Sequence, residues 1–82
     1  MIRSKLDIIA EVLETARSEK TKTAIVSRAN LNQQLATSTL KLLVNLDLVS
    51  ERYNSPTSYL TSKRGLQFLQ EYQNLRQILE VK

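Results

Sequence analysis

Cysteine and histidine are both missing from the 82 residues. Their absence removes thiolate and imidazole metal sites, cysteine nucleophiles and histidine general bases in one step. A chain without cysteine also suits an intracellular setting. Glycine and proline each occur once, and aromatic residues make up only 5%, so no glycine-rich phosphate loop exists. Glu11 and Glu14 lie three apart without a base or nucleophile nearby, which reads as an exposed helix face and not as an enzyme site. No apolar run approaches the roughly 20 residues that cross a bilayer. The N-terminus alternates charged with apolar residues, unlike a signal peptide. The expectation is a soluble cytoplasmic protein without enzymatic activity, cofactor, metal, membrane contact or evident small-molecule ligand.

What remains is enough for one small domain. Apolar residues form 41% of the chain, a core modest enough that oligomerisation would add stability. The formal charge is +4, from 12 Lys/Arg against 8 Asp/Glu. Its distribution is more informative than its size. Residues 15–46 carry Arg17, Lys20, Lys22, Arg28 and Lys41 against Glu19 alone, a local +4. Such a field attracts a polyanion.

Periodicity supplies the elements. Ser4 and Asp7 form a capping box, and Leu6, Ile9, Ala10, Val12, Leu13 and Ala16 make one stripe, so residues 4–18 are expected to be helical. The polar stretch 19–22 suits a short edge strand. Helices are expected at about 22–29 and 32–46, separated by Asn30-Leu31, with Asn32 as N-cap. After Asp47 the period changes to strand, turn, strand over 48–61. Pro56 blocks a helix there, and Asn54-Ser55 favour a turn. Ser62 is expected to cap a last helix at about 63–80, with Gly65 in its first turn allowing close packing.

The segment from Thr21 to Leu48 is therefore a helix-turn-helix. Its second helix carries Gln33, Gln34, Thr37, Ser38 and Lys41 on one face and Leu35, Ala36, Leu40, Leu43 and Leu46 on the other. Amides and hydroxyls are the groups that pair with base edges, so Gln33, Gln34, Thr37 and Ser38 are the candidate base-facing set. Gln33 and Gln34 can equally bond phosphates and specify nothing. Lys20, Lys22, Arg28, Asn32, Lys41, Arg52, Lys63 and Arg64 are the candidate phosphate-facing set. Lys63 and Arg64 oppose the dipole of the helix they open, which calls for a nearby phosphate or a carboxylate such as Glu51. Tyr53, Tyr59 and Tyr72 read as packing residues, not as stacking platforms. Phe68, Tyr72, Leu75 and Leu79 are spaced 4, 3 and 4 apart, a two-heptad seam of the kind that pairs with a second copy.

The order helix, helix, helix, hairpin, long helix is that of a winged helix, a mostly α fold with a small β-hairpin. It divides into residues 1–61 as the DNA-binding unit and 62–82 as a C-terminal dimerisation helix. The wording resembles the small archaeal winged-helix DNA-binding proteins that dimerise through an antiparallel coiled coil. Ser4-Lys5-Leu6-Asp7-Ile8-Ile9 with Val12-Leu13-Glu14 resembles that family's first helix. Ala29-Asn30-Leu31, Leu40, Leu42-Leu43 and Asp47-Leu48-Val49 resemble its helix-turn-helix. Tyr59, Ser62, Lys63, Arg64 and Gly65 match its Tyr-x-x-Thr-x-Lys-Gly junction, with Ser62 for Thr and Arg64 for Lys, and Thr61 where an apolar residue is usual. The resemblance implies a homodimer that binds duplex DNA, in a chromatin or transcription-regulator role. The alternative function is a winged-helix protein-interaction module in a transcription or repair assembly. An effector-gated repressor is a third reading, for which no ligand-pocket residues are recognisable.

Overall fold

The computed structural model describes residues 3–53 and 55–80. The expected turn former Asn54 lies outside the described residues. The first helix, α1 (Lys5–Thr15), opens on Ser4, whose hydroxyl accepts from the Asp7 N–H while the Asp7 carboxylate accepts from the Ser4 N–H, both at 3.1 Å. Those two bonds occupy N–H groups that a helix start otherwise leaves unpaired. Strand β1 (Lys20–Thr21) leads into α2 (Lys22–Arg28), where the Thr21 hydroxyl accepts from Ala24 N–H at 3.3 Å. Then come α3 (Gln33–Asn45), β2 (Val49–Arg52), β3 (Ser58–Thr61) and α4 (Lys63–Glu80). Every expected element is present. The first helix is shorter than its expected 4–18, ending at Thr15 with Ala16 as C-cap.

The strands form one antiparallel sheet in the order β1-β3-β2. Glu51 pairs with Tyr59, and Arg52 with Ser58; Lys20 pairs with Tyr59, and Thr21 with Ser58. The hairpin β2–β3 is thus the wing, and β1 lends it a third strand. The core is a single cluster. Val12, Leu13 and Ala16 of the first helical segment meet Ile25, Ala36, Leu43 and Leu69, all essentially solvent-free.

Two chain reversals use the left-handed region. Asn30 (φ 56°) sits in the turn between α2 and α3, and Asp47 (φ 61°) follows α3. Short polar side chains tolerate this geometry better than most. Beyond Asp47, the Leu48 carbonyl accepts from Ser62 N–H at 3.0 Å and the Asp47 carbonyl from the Ser62 hydroxyl at 2.6 Å. The same hydroxyl accepts from Gly65 N–H at 3.0 Å, so Ser62 caps α4 as expected while fastening it to the end of α3. Gly65 is required by contact. A Cβ there would stand 2.2 Å from the Leu48 carbonyl oxygen and 2.6 Å from Thr61 Cγ2.

From that anchor α4 runs back along α1. Leu69 is buried, and Tyr72 donates its hydroxyl to the Asp7 carboxylate. Past Tyr72 the helix leaves the body: Leu75, Ile78 and Leu79 are 50%, 69% and 75% exposed. Among the described residues no helix is long and apolar enough to cross a membrane.

Candidate nucleic-acid interface

Helix α3 is fixed at its start by Asn32, whose side-chain oxygen accepts from Leu35 N–H at 2.7 Å. Its apolar side enters the core through Ala36, Leu40 and Leu43. The helical period therefore turns Gln33, Gln34, Thr37, Ser38 and Lys41 outward, and these five side chains line one shallow hollow. No carboxylate lines it. The five polar side chains share one outward face, as the periodicity implies.

Its chemistry is more specific than composition alone conveys. The Thr37 hydroxyl donates to the Gln33 carbonyl at 2.8 Å, and the Ser38 hydroxyl to the Leu35 carbonyl at 3.1 Å. Both hydrogens are directed back into the helix, so outward these groups present lone pairs. The two glutamines supply amide donors, and Lys41 supplies the charge.

The cations divide into those that share this surface and those that do not. Lys22 and Lys41 line the same cleft, between α3 and the hairpin, together with Thr37, Glu51, Tyr53 and Tyr59. Arg28 is exposed in the last turn of α2, beside the turn into α3. Lys20 turns its ammonium onto the hydroxyl of Ser18 and, at 3.4 Å, the Ser18 carbonyl. Arg52 alternates with Glu51 along β2 and so lies on the opposite sheet face. There it comes within 3.9 Å of Glu19, whose carboxylate also accepts from the Ser58 hydroxyl. Lys63 and Arg64 are held by the Ser62 contacts at the C-terminal end of α3, about 20 Å along that helix from Gln33 at 1.5 Å per residue. Glu51 gives them no partner: its carboxylate accepts from Tyr53 at 2.7 Å and Tyr59 at 3.2 Å. Among the described residues, Lys22, Arg28, Lys41, Lys63 and Arg64 form no ion pair. Asn32 stands at the start of α3 with its oxygen committed to the cap.

The C-terminal seam divides as well. Phe68 and Tyr72 are half-buried against the chain's own core, whereas Leu75 and Leu79 are exposed beyond it, with Ile78 beside them.

One residue that positions the site has no signature in sequence. Arg3 donates to the carbonyls of Ala29 at 2.7 Å and Asn30 at 2.8 Å, and pairs with Glu11 at 2.6 Å. It thereby ties the turn between α2 and α3 to α1. Its partners lie 26 and 27 residues away, beyond any local pattern. The meeting of Tyr59 with the Glu51–Tyr53 pair also escapes sequence reading, because only the register Glu51–Tyr59 creates it. Both phenols are held protonated above the ordinary tyrosine range. The Glu51 hydrogen bond is the main cause for Tyr53, and burial followed by the Glu51 charge for Tyr59.

Comparison with known proteins agrees with this architecture. The structure superposes on Sso10a-2, a DNA-binding protein from Sulfolobus solfataricus, with a TM-score of 0.88 at 18% identity, over 95% of this chain and 83% of that one. It also superposes on a MarR family transcriptional regulator from Silicibacter pomeroyi DSS, with a TM-score of 0.77 at 17% identity, over 95% of this chain but 59% of that one. At such identities the likeness is one of fold. No curated protein matches the sequence. A winged helix-turn-helix family model matches residues 2–80. With α2 and α3 joined through Asn30, the three-stranded wing sheet and α4 in sequence order, the chain belongs to the winged helix-turn-helix family.

Proposed function

We propose that the chain is a homodimeric duplex-DNA-binding protein of the transcription-regulator or chromatin type, with α3 in the major groove. The observation that carries this reading is the open, carboxylate-free hollow formed by Gln33, Gln34, Thr37, Ser38 and Lys41. A groove-facing helix needs amide donors, outward lone pairs and a cation on one accessible side, and α3 offers all three. The structurally similar Sso10a-2 is itself described as DNA-binding. Lys22, Arg28 and Lys41 are the backbone contacts nearest that face, with Asn32 at the start of α3. Lys20, Arg52, Lys63 and Arg64 reach phosphate only where the duplex extends past α3. Leu75, Ile78 and Leu79 join two copies.

The deciding measurement is duplex binding by mobility shift across salt concentrations. Neutralising about six phosphates in a dimer gives a slope of log affinity against log salt near −5. A slope shallower than about −1, or no shift at low salt, removes the proposal.

A second reading, docking of an acidic protein partner, draws on the wing tip, where residues 53–57 contain no lysine or arginine. Partner binding that survives Arg28→Ala and Lys41→Ala, without any duplex binding, would favour it.

A further inference from the structure

The cleft between α3 and the hairpin encloses about 450 Å³, and its walls differ in character. The helical side carries Thr37 and Lys41, with Lys22 nearby; the hairpin side carries Glu51, Tyr53 and Tyr59. Glu51 is the sole carboxylate in the lining. Tyr53 follows directly after the end of β2, two residues from Glu51, and Tyr59 is the cross-strand neighbour of Glu51. Both phenol hydroxyls donate to the Glu51 carboxylate, at 2.7 and 3.2 Å. Tyr53 is 82% exposed, too open to be a packing residue. A phenol has a single proton to donate, so each hydroxyl serves either Glu51 or another anion.

We infer that this cleft takes a backbone phosphate of the bound duplex between Lys22 and Lys41, with Tyr53 and Tyr59 as neutral donors and Glu51 as the carboxylate that competes for them. The inference rests on the DNA-binding function proposed for α3. Glu51 then limits affinity twice over. It sets a negative charge beside the phosphate, and it holds two donors that the phosphate needs. The first effect is long-range and weakened by salt; the second is short-range and depends on the phenol hydroxyls. That difference makes the two separable.

The test compares duplex affinity at one fixed salt concentration for four full-length chains: wild type, Glu51→Gln, Tyr53→Phe/Tyr59→Phe, and the triple variant. Glu51→Gln is expected to bind roughly tenfold tighter, the scale of weakening a hydrogen bond from a charged to a neutral acceptor. In the double-phenylalanine background the same change is expected to give less than about threefold, because only the charge effect remains. Glu71→Gln, on the exposed side of α4, controls for net charge and is expected to stay within about twofold. Titration of the tyrosines by ultraviolet absorbance reads the contact independently of DNA: in Glu51→Gln the phenols return toward their ordinary range. Unchanged or weaker binding by Glu51→Gln, or a gain that persists undiminished without the hydroxyls, overturns the inference while leaving DNA binding intact. A wild-type chain that fails to bind duplex overturns the proposed function and this inference together.

Discussion

At the residue scale, Gly65 leaves no room for a side chain. The Leu48 carbonyl that would clash with a Cβ is backbone, 2.2 Å away, and it already accepts from Ser62 N–H. Alanine would push the start of α4 off the end of α3 and disturb the hairpin beside it. The expected cost of Gly65→Ala is about 2–3 kcal/mol, the upper range for overpacking. In a domain of this size that is roughly a 10 °C fall in thermal midpoint or more. A melt by circular dichroism checks it, and a variant melting within about 2 °C of wild type would show the junction to be looser than described. The sequence already placed a small residue in this turn for close packing. The atoms in contact, the Leu48 carbonyl 17 positions earlier and Thr61 Cγ2 at the end of the hairpin, are set only by the fold.

At the element scale, the pairing of α1 with α4 has a polar tie that titrates. Asp7 is held below the ordinary carboxylate range, chiefly by the Tyr72 hydroxyl and then by the backbone and side chain of Ser4. Because its pKa is lower folded than unfolded, its contribution is complete above the ordinary aspartate value of about 3.9 and disappears as pH falls through the folded value. Tyr72 shifts the opposite way, raised first by the same bond. Its part is complete below about pH 10 and disappears as pH rises through its folded value. Asp7→Asn is therefore expected to melt below wild type at neutral pH, with the gap closing in acid. Parallel melting curves from pH 7 to pH 2 test this. A gap that stays constant into acid would mean that the charge of Asp7 does not support the tie.

The same element explains why the heptad pattern was only partly informative. Phe68, Tyr72, Leu75 and Leu79 share one period, yet the first two pack against the chain's own core while the last two are exposed. Hydrophobic spacing records which side of a helix is apolar, not what lies against it. The limits of α3 and its outward face were legible because a good N-cap, an apolar stripe and a polar stripe all agreed. The surroundings of Arg52 are not written locally: alternation along β2 sets it beside Glu19, on the sheet face opposite Glu51.

At the scale of the whole molecule, the extents of 48 × 27 × 19 Å reflect the projecting end of α4. Three large apolar side chains there lie away from the core, and in the proposed dimer they meet their counterparts. Leu75→Asp/Leu79→Asp is expected to give a monomer by sedimentation while keeping most of its thermal stability, since neither side chain belongs to the buried cluster. Its duplex affinity is expected to fall at least tenfold through loss of the second binding unit. A wild-type chain of monomeric mass at tens of micromolar would rule this arrangement out.

The order of elements, their boundaries to within a few residues, the polar side of α3 and the need for a small residue at position 65 followed from the chain itself. Capping, periodicity and turn chemistry act over a few neighbours, so they are written locally. The clamp of Arg3 on the α2–α3 turn, the carboxylate between two phenols, the sheet face of Arg52 and the division of the α4 seam were decided only on folding. Each depends on register or packing between segments 8 to 65 residues apart, a distance over which no sequence periodicity specifies contact.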